Sequence, residues 1–509
     1  MKKNIFGILV CSLALLSCNM ELTPEGEIHD EEALESIEDF ESFTRGLYAM
    51  ARSFTSGDNV VLSDIQLDDF HAVIGNGNRR MDFYNGSILP STGEIAAIYS
   101  SYYAGIAEIN FFLDHAESKL ADGTFAGEDA ATLSRCVGAA HFLRAYCYAS
   151  LADKYCGSYR NAANIEEEGT GLSLQLSYAP TADNSKYPGR SSLKVTYAQI
   201  LSDLEKALEE TTAYEAASDT EPKSNSIYIT SDAVKALTAR VHLTMGNAQR
   251  AFALADEVIA TNRYPLTDRN SFAKLWTDDE GSEILWLVDA DYTYHGSATG
   301  DAFASNTTKS DYLPTKECIF LFDENDIRWT TWFDEKEYQD GDTKILMCRF
   351  MKYPGNPDLY ATGASSNFVQ KGKPLRSAEL YLIAAEACQD MGDEQKAIQY
   401  LSALETTRIK GSQVAKRIAA LSGTALRDEI RDERHREMIG EGSRLADLKR
   451  WQSGFTRGEI YENHEGLIIS NYMNQHYDAD DYRFLWPLPQ HELDTNPQVR
   501  GQQNPGYDF

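Results

Sequence analysis

The chain has 509 residues, of which 42% are hydrophobic and 25% charged, enough for a large core built as one or two domains. Its 78 acidic and 47 basic side chains give a formal net charge of −31, which speaks against nucleic-acid binding, because that affinity comes largely from Lys and Arg on phosphates. Solubility outside the cell is sufficient reason for such a charge.

The first predicted element is a leader. Lys2 and Lys3 precede an apolar run from Ile5 to Leu16, which is too short to stay in a bilayer as a spanning helix. Leu15-Leu16-Ser17-Cys18 resembles a bacterial lipobox, and the resemblance implies a signal peptide over 1–17 and acylation of the Cys18 sulfur. Acyl chains contribute roughly 0.8 kcal/mol per buried CH₂, so several would hold the chain at a membrane. No later stretch has the roughly 18 apolar residues that a spanning helix needs, so Cys18 is the expected membrane contact.

Helical periodicity follows. Phe40, Phe43, Leu47, Met50 and Phe54 form one apolar stripe, Tyr99, Tyr102, Ile106, Ile109 and Leu113 a second, and Ala140, Leu143, Cys147 and Leu151 a third. Further helices fit 195–210, 232–245, 248–261, 376–391, 394–409 and 424–451. Two of these regions resemble each other. Aligning Met245-Gly246 with Met391-Gly392 also aligns Ala239 with Ala385, Ala251 with Ala397, and Val258 with Leu404. Each copy is a helix, a tight turn and a second helix, the layout of a tetratricopeptide hairpin.

The segment between the copies, 265–375, is different: a short apolar run at Ile284–Val288 lies among polar, turn-rich stretches. A second irregular stretch, 56–94, includes GNGNRRMDFYNGS at 75–87. Long loops on a helical scaffold are where binding usually sits. Beyond Cys18 the cysteines are Cys136, Cys147, Cys156, Cys318, Cys348 and Cys388, with no Cys-x-x-Cys pair, which argues against a zinc site. A Cys318–Cys348 disulfide is open.

FLRAYCYASLADKYCG at 142–157, LRSAELYLIAAEA at 375–387, ERHREMIGEGSRLADLKRW at 433–451, LWPLPQHELDTNP at 485–497 and QNPGY at 503–507 occur in that order. Together with the lipobox they resemble the SusD/RagB family of outer-membrane lipoproteins, from which His141 and the small positions around 147–150 depart. The resemblance implies an all-α fold, a tetratricopeptide-like helical-hairpin superhelix with a loop-rich second region containing a few short strands. It divides the mature chain into an N-terminal helical region at 18–264, a loop-rich insertion at 265–375 and a C-terminal helical region at 376–509. It also implies a lipid-anchored, surface-exposed position at the cell outer membrane, and a SusC-like TonB-dependent transporter as partner. Read from the residues alone, Arg144, Glu379, Glu386, Arg434, Arg444 and Asp447 are architectural, because half-buried charges beside apolar stripes need partners. Trp451 reads as a core residue.

No enzyme, Walker or Rossmann motif is present, and no cofactor is expected. Carboxylates are abundant, but sequence alone does not separate a hydrolytic pair from an acidic surface. His71, His115, His242 and His435 read as surface or core residues, and DADY at 289–292 and YDADDY at 477–482 lack the remaining features of a calcium loop. The expected function is therefore non-enzymatic capture of a nutrient, a glycan or, as the RagB branch implies, an oligopeptide. A secreted hydrolase and a purely structural surface protein are the competing classes. Aromatic faces suit sugars, and the middle segment supplies Trp276, Tyr292, Tyr294, His295, Trp329 and Trp332 as candidate ligand contacts. The resemblance adds Asp69, Arg80, Phe83 and Tyr84. One outcome is already testable: Cys18→Ala should move the protein from the outer-membrane fraction to the soluble fraction, and retention on membranes lacking the transporter would contradict the anchor.

Overall fold

The computed structural model describes residues 33–306, 309–340 and 343–507. The leader and Cys18 lie outside them. Helix α1 (Ile37–Phe54) opens on a capping box, in which the Asp39 N–H donates to Ser36 Oγ at 3.2 Å and the Ser36 N–H donates to Asp39 Oδ2 at 2.9 Å. It is followed by α2 (Asp58–Gln66), α3 (Gly93–Ala121), α4 (Glu128–Tyr155), α5 (Leu193–Ala217), α6 (Ser231–Thr244) and α7 (Ala248–Ala260). The apolar stripes read from the sequence point inward: Phe40, Leu47, Phe54, Tyr102, Ile106, Leu143 and Leu151 are all buried in one core. Helices α3 to α6 pack as successive neighbours.

The hairpin repeat is real in three dimensions. Between α6 and α7, Gly246 takes φ +80° and the Asn247 N–H reaches back to the His242 carbonyl at 2.9 Å. Between α9 (Ser377–Asp390) and α10 (Glu394–Arg408), whose labels leave α8 for a short helix Ile327–Trp332 in the insertion, Gly392 takes the same φ and the Asp393 N–H reaches the Cys388 carbonyl at 2.9 Å. Glycine suits both turns because the left-handed conformation carries no Cβ penalty there. The aligned residues Ala239, Ala251, Val258, Ala385, Ala397 and Leu404 are all buried. Helix α9 packs directly on α7, so the intervening segment is looped out and the stack continues without a gap.

That segment is closed at its base by a pair of short strands, β2 (Ile284–Trp286) on β6 (Leu375–Arg376). The other strands likewise pair two by two: β1 (Phe70–Ala72) with β3 (Tyr312–Pro314), β4 (Phe333–Asp340) with β5 (Thr343–Phe350), and β7 (Phe455–Thr456) with β8 (His476–Tyr477). The fold is thus helical with a few short strands. No described helix is long and apolar enough to cross a membrane. The six described cysteines, Cys318 and Cys348 included, are buried free thiols.

One expected helix divides. The continuous pattern at 424–451 is broken into α11 (Gly423–Met438) and α12 (Arg444–Trp451). Gly440 and Gly442 have φ of +75° and +77°, and their N–H groups donate to the buried Asp64 carboxylate at 3.3 and 2.9 Å. A Cβ on Gly442 would lie 2.9 Å from the Val60 carbonyl oxygen. The turn therefore needs glycine to approach α2 closely, and helical periodicity carries no trace of that contact.

Buried charges join the halves. Glu437 Oε1 accepts from Arg376 at 2.8 Å and from Arg408 at 3.1 Å, and its Oε2 accepts from Arg328 at 3.0 Å. All three arginines and Glu437 have side chains exposed by 1% or less. Burial alone would raise the Glu437 pKa, but Arg408, Arg376 and Arg328 hold it well below the usual carboxylate range. The charges expected to be architectural are paired: Arg144 with Asp203, Arg434 with Glu379 and Asp447, Arg450 with Glu386, and Arg444 with Asp68. Trp451 is only half-buried, with its indole N–H on Glu386 at 2.8 Å. Glu437→Gln should cost about 3–5 kcal/mol in urea unfolding, since it breaks a fully buried ionic cluster. Glu337→Gln, which removes an exposed partner of Lys344 at 2.8 Å, should cost less than about 1 kcal/mol; equal losses would contradict a structural role for the buried cluster.

Candidate binding site

The turn between α1 and α2 is a docking point for the 289–301 loop. Arg52 Nε donates to the Asp289 carbonyl at 2.7 Å, the Ser297 N–H donates to Ser56 Oγ at 2.9 Å, and the Gly57 N–H donates to Thr299 Oγ1 at 3.1 Å. Within the loop, Asp291 Oδ1 accepts from the N–H groups of Thr293 and Tyr294 at 2.7 and 2.8 Å. This Asx turn holds the Asp291 carboxyl below its ordinary pKa and presents two rings to solvent. Tyr292 is 59% exposed and Tyr294 65%. His295 is exposed beside them.

The 75–80 loop meets the far end of the 289–301 loop at Asp301. Gly75, Gly77, Asn78 and Arg80 all have positive φ. Such a run of left-handed residues costs strain at the non-glycine positions, and contacts must offset it. Arg80 supplies them: its Nε donates to Asp58 Oδ1 at 2.7 Å and its Nη2 to Asp301 Oδ1 at 3.2 Å. Asp58 begins α2 and Asp301 ends the 289–301 loop, so one guanidinium ties the three segments together. Arg79, whose side chain is 55% exposed, pairs with Asp311 and lies 3.8 Å from Asp301. The face therefore offers two exposed tyrosines, an imidazole, and guanidinium and carboxylate groups already held in place. It can stack on a flat apolar surface and exchange hydrogen bonds beside it.

Of the residues expected from the sequence, the structure places Tyr292, Tyr294 and His295 together on the exposed turn and Arg80 at the far end of the same loop, on Asp301. Trp276, Trp332, Phe83, Tyr84 and Asp69 are corrected by burial, while Trp329 keeps part of its surface. Trp276 and Trp332 are 1% and 0% exposed. Their rings meet edge to face at 5.4 Å and enclose the Lys352 ammonium at 4.6 and 4.0 Å. Trp329 is half-buried and stacks on Phe333 at 5.0 Å. Phe83 packs on Trp486, and Tyr84 lies under the Arg457 guanidinium, neither with any exposure. Asp69, also buried, accepts from His435 at 2.8 Å. Large aromatic side chains gain most from leaving water, so a loop-rich segment buries its indoles as a helix would. Sequence reasoning missed Arg79, Asp58 and Asp301. The Arg79-Arg80 dipeptide was the available signal, but partners more than 200 residues away along the chain leave none.

Asp68, Asp69 and His435 are the described residues whose ligand atoms come close enough to hold a metal ion. Arg444 already engages one of the three, with two N–H groups on Asp68 at 3.2 and 2.6 Å. Burial pushes the Asp68 pKa up, yet Arg444 and His435 hold it down to about 2. The cluster works as an ion pair. Asp291 and Asp481, in the two acidic runs, are engaged with neighbouring backbone N–H groups.

Comparison with known proteins places this geometry in context. A family model described as the SusD family matches residues 323–507, and one described as starch-binding associating with outer membrane matches 23–243. A SusD superfamily protein of Bacteroides thetaiotaomicron is similar over 92% of this chain and 100% of its own, with 24% identity and a TM-score of 0.76. A SusD-like carbohydrate binding protein of Bacteroides vulgatus is similar over 92% of this chain and 98% of its own, at 19% identity and a TM-score of 0.72. These similarities show the fold. No curated protein matches the chain significantly.

The assignment of surface and core separates by stability. Tyr292→Ala combined with Tyr294→Ala should leave urea unfolding within about 0.5 kcal/mol of the parent, whereas Trp332→Ala should lose about 3–5 kcal/mol. A large loss from the tyrosine pair would show that those rings serve packing.

Proposed function

The chain belongs to the SusD/RagB family, and from that premise we propose that it is a non-enzymatic binding protein of the cell surface that captures an oligosaccharide and passes it to a SusC-like TonB-dependent transporter. Held by its acylated Cys18 at the outer membrane, it presents the loop face to the medium. The observation that carries the reading is the pair of exposed rings, Tyr292 and Tyr294, on a loop whose far end is fixed by the charges Arg79, Arg80, Asp58 and Asp301. The C–H face of a pyranose packs on an aromatic ring while fixed carboxylates and guanidiniums take its hydroxyls. A rigid platform also keeps the ordering cost of binding low.

A peptide ligand would use backbone pairing and apolar pockets instead. The test is a glycan array run beside a peptide-library pull-down, followed by titration of the bound glycan. The parent should bind glycans, and joint Tyr292→Ala and Tyr294→Ala should weaken binding by about tenfold or more, the value of one or two stacking contacts. Binding to peptides alone would overturn the glycan reading, and undiminished affinity in the double variant would overturn the site.

A further inference from the structure

A partly open recess of about 140 Å³ lies between α4, α6, α11 and α12, with Thr55 and Asn59 of the α1–α2 turn and Thr299 of the 289–301 loop also on its lining. In a chain of net charge −31 its lining is the reverse of the average, with six cationic side chains against four carboxylates. Most of the cations are already engaged. Arg240 pairs with Glu379, Arg434 and Arg450 with Asp447, and Lys373 with Asp279.

Lys154 is the exception. It is 8% exposed, and among the described residues no acceptor lies within hydrogen-bond distance of its ammonium. Its close features are the rings of Tyr102 and Trp486, each 5.9 Å away. Other buried lysines are satisfied: Lys352 by the Glu437 and Ile439 carbonyls and Glu441, and Lys449 by the Asp153 and Cys156 carbonyls. Burial lowers the Lys154 pKa accordingly. The neighbouring Asp153 carboxylate, also on the lining, accepts no hydrogen bond from a described residue and has its pKa raised by burial.

A buried ammonium that makes no hydrogen bond is costly, and the open space beside it can hold a complement. The Asp153 and Asp64 carboxylates lie near enough to attract the Lys154 ammonium, but neither hydrogen-bonds it, so a group that accepts from it has a place in the recess. We propose that this recess is a binding site for a small organic acid that carries a second, hydrogen-bond-donating group, its carboxylate on Lys154 Nζ and its hydroxyl or ammonium on Asp153. The volume suits such a molecule, being about that of four or five waters. The proposal is independent of the glycan reading.

Lactate is the probe. Calorimetric titration of the full chain should show saturable binding of lactate over a sodium chloride background and none of glycerol, which has the hydroxyls without the charge. Lys154→Met should weaken lactate about tenfold or more, as expected for loss of a charge-assisted hydrogen bond. Crystals of the parent grown with lactate should show it against Lys154 Nζ, a result that does not depend on the variant folding. Absence of saturable lactate binding, unchanged affinity in the folded Lys154→Met protein, or lactate-grown crystals with only water in the recess would each overturn the proposal.

Discussion

A carboxylate removed from water, Glu437, is held by three guanidiniums that come from separate stretches of the chain, and much of the arrangement between the helical stack and its insertion follows from meeting that requirement. Arg328 comes from the insertion, Arg376 from the strand that closes it, and Arg408 from the end of α10. Each arginine in turn needs further anions. Glu283 accepts from Arg376 at 2.7 Å and from Arg408 at 2.8 Å, while Asp326 and Glu433 accept from Arg328, both at 2.8 Å. Removing one member would strand charge in a low-dielectric interior, which is why such clusters resist piecemeal change. The same stretch of chain places Lys352 between Trp276 and Trp332, with its ammonium on the carbonyls that end α11. An insertion of mostly irregular chain is thereby fastened to rigid helices.

That fastening explains how loops can form a binding face with defined geometry. The 289–301 loop is tied to the α1–α2 turn by backbone and hydroxyl groups, and Arg80 bridges the turn to the loop's far end. The rings of Tyr292 and Tyr294 are free because their neighbours already satisfy the backbone beneath them. Preorganisation of this kind favours recognition of a ligand whose own surface is shallow and hydroxylated.

Local signals were legible in the sequence. Apolar stripes at helical spacing located the long helices, and the paired Met-Gly turns located two hairpins whose glycines share one conformation. The break at 439–443 was not legible, because its cause is the approach of Asp64 from a distant helix to two backbone N–H groups. Nor was the Glu437 cluster, in which the Arg328 partner lies 109 residues away along the chain. Periodicity reports a face of one helix and says nothing about which distant charge meets it.

For the site, the sequence showed residue types better than exposure. Tyr292, Tyr294 and His295 stand on a turn made by Asp291, a signal that short-range chemistry carries. Trp276 and Trp332 looked equivalent as aromatic residues of the middle segment, and the resemblance added Phe83 and Tyr84, yet each is drawn into the core, where an aromatic ring stabilises most. The central claim is that ligand is held by the loop face while the helical frame stays as it is. Hydrogen–deuterium exchange of the chain with and without a saturating oligosaccharide tests it directly. The account predicts slowed exchange at 75–81 and 289–301 with α9 and α11 unchanged; protection confined to other segments, with those two loops unaltered, would contradict it.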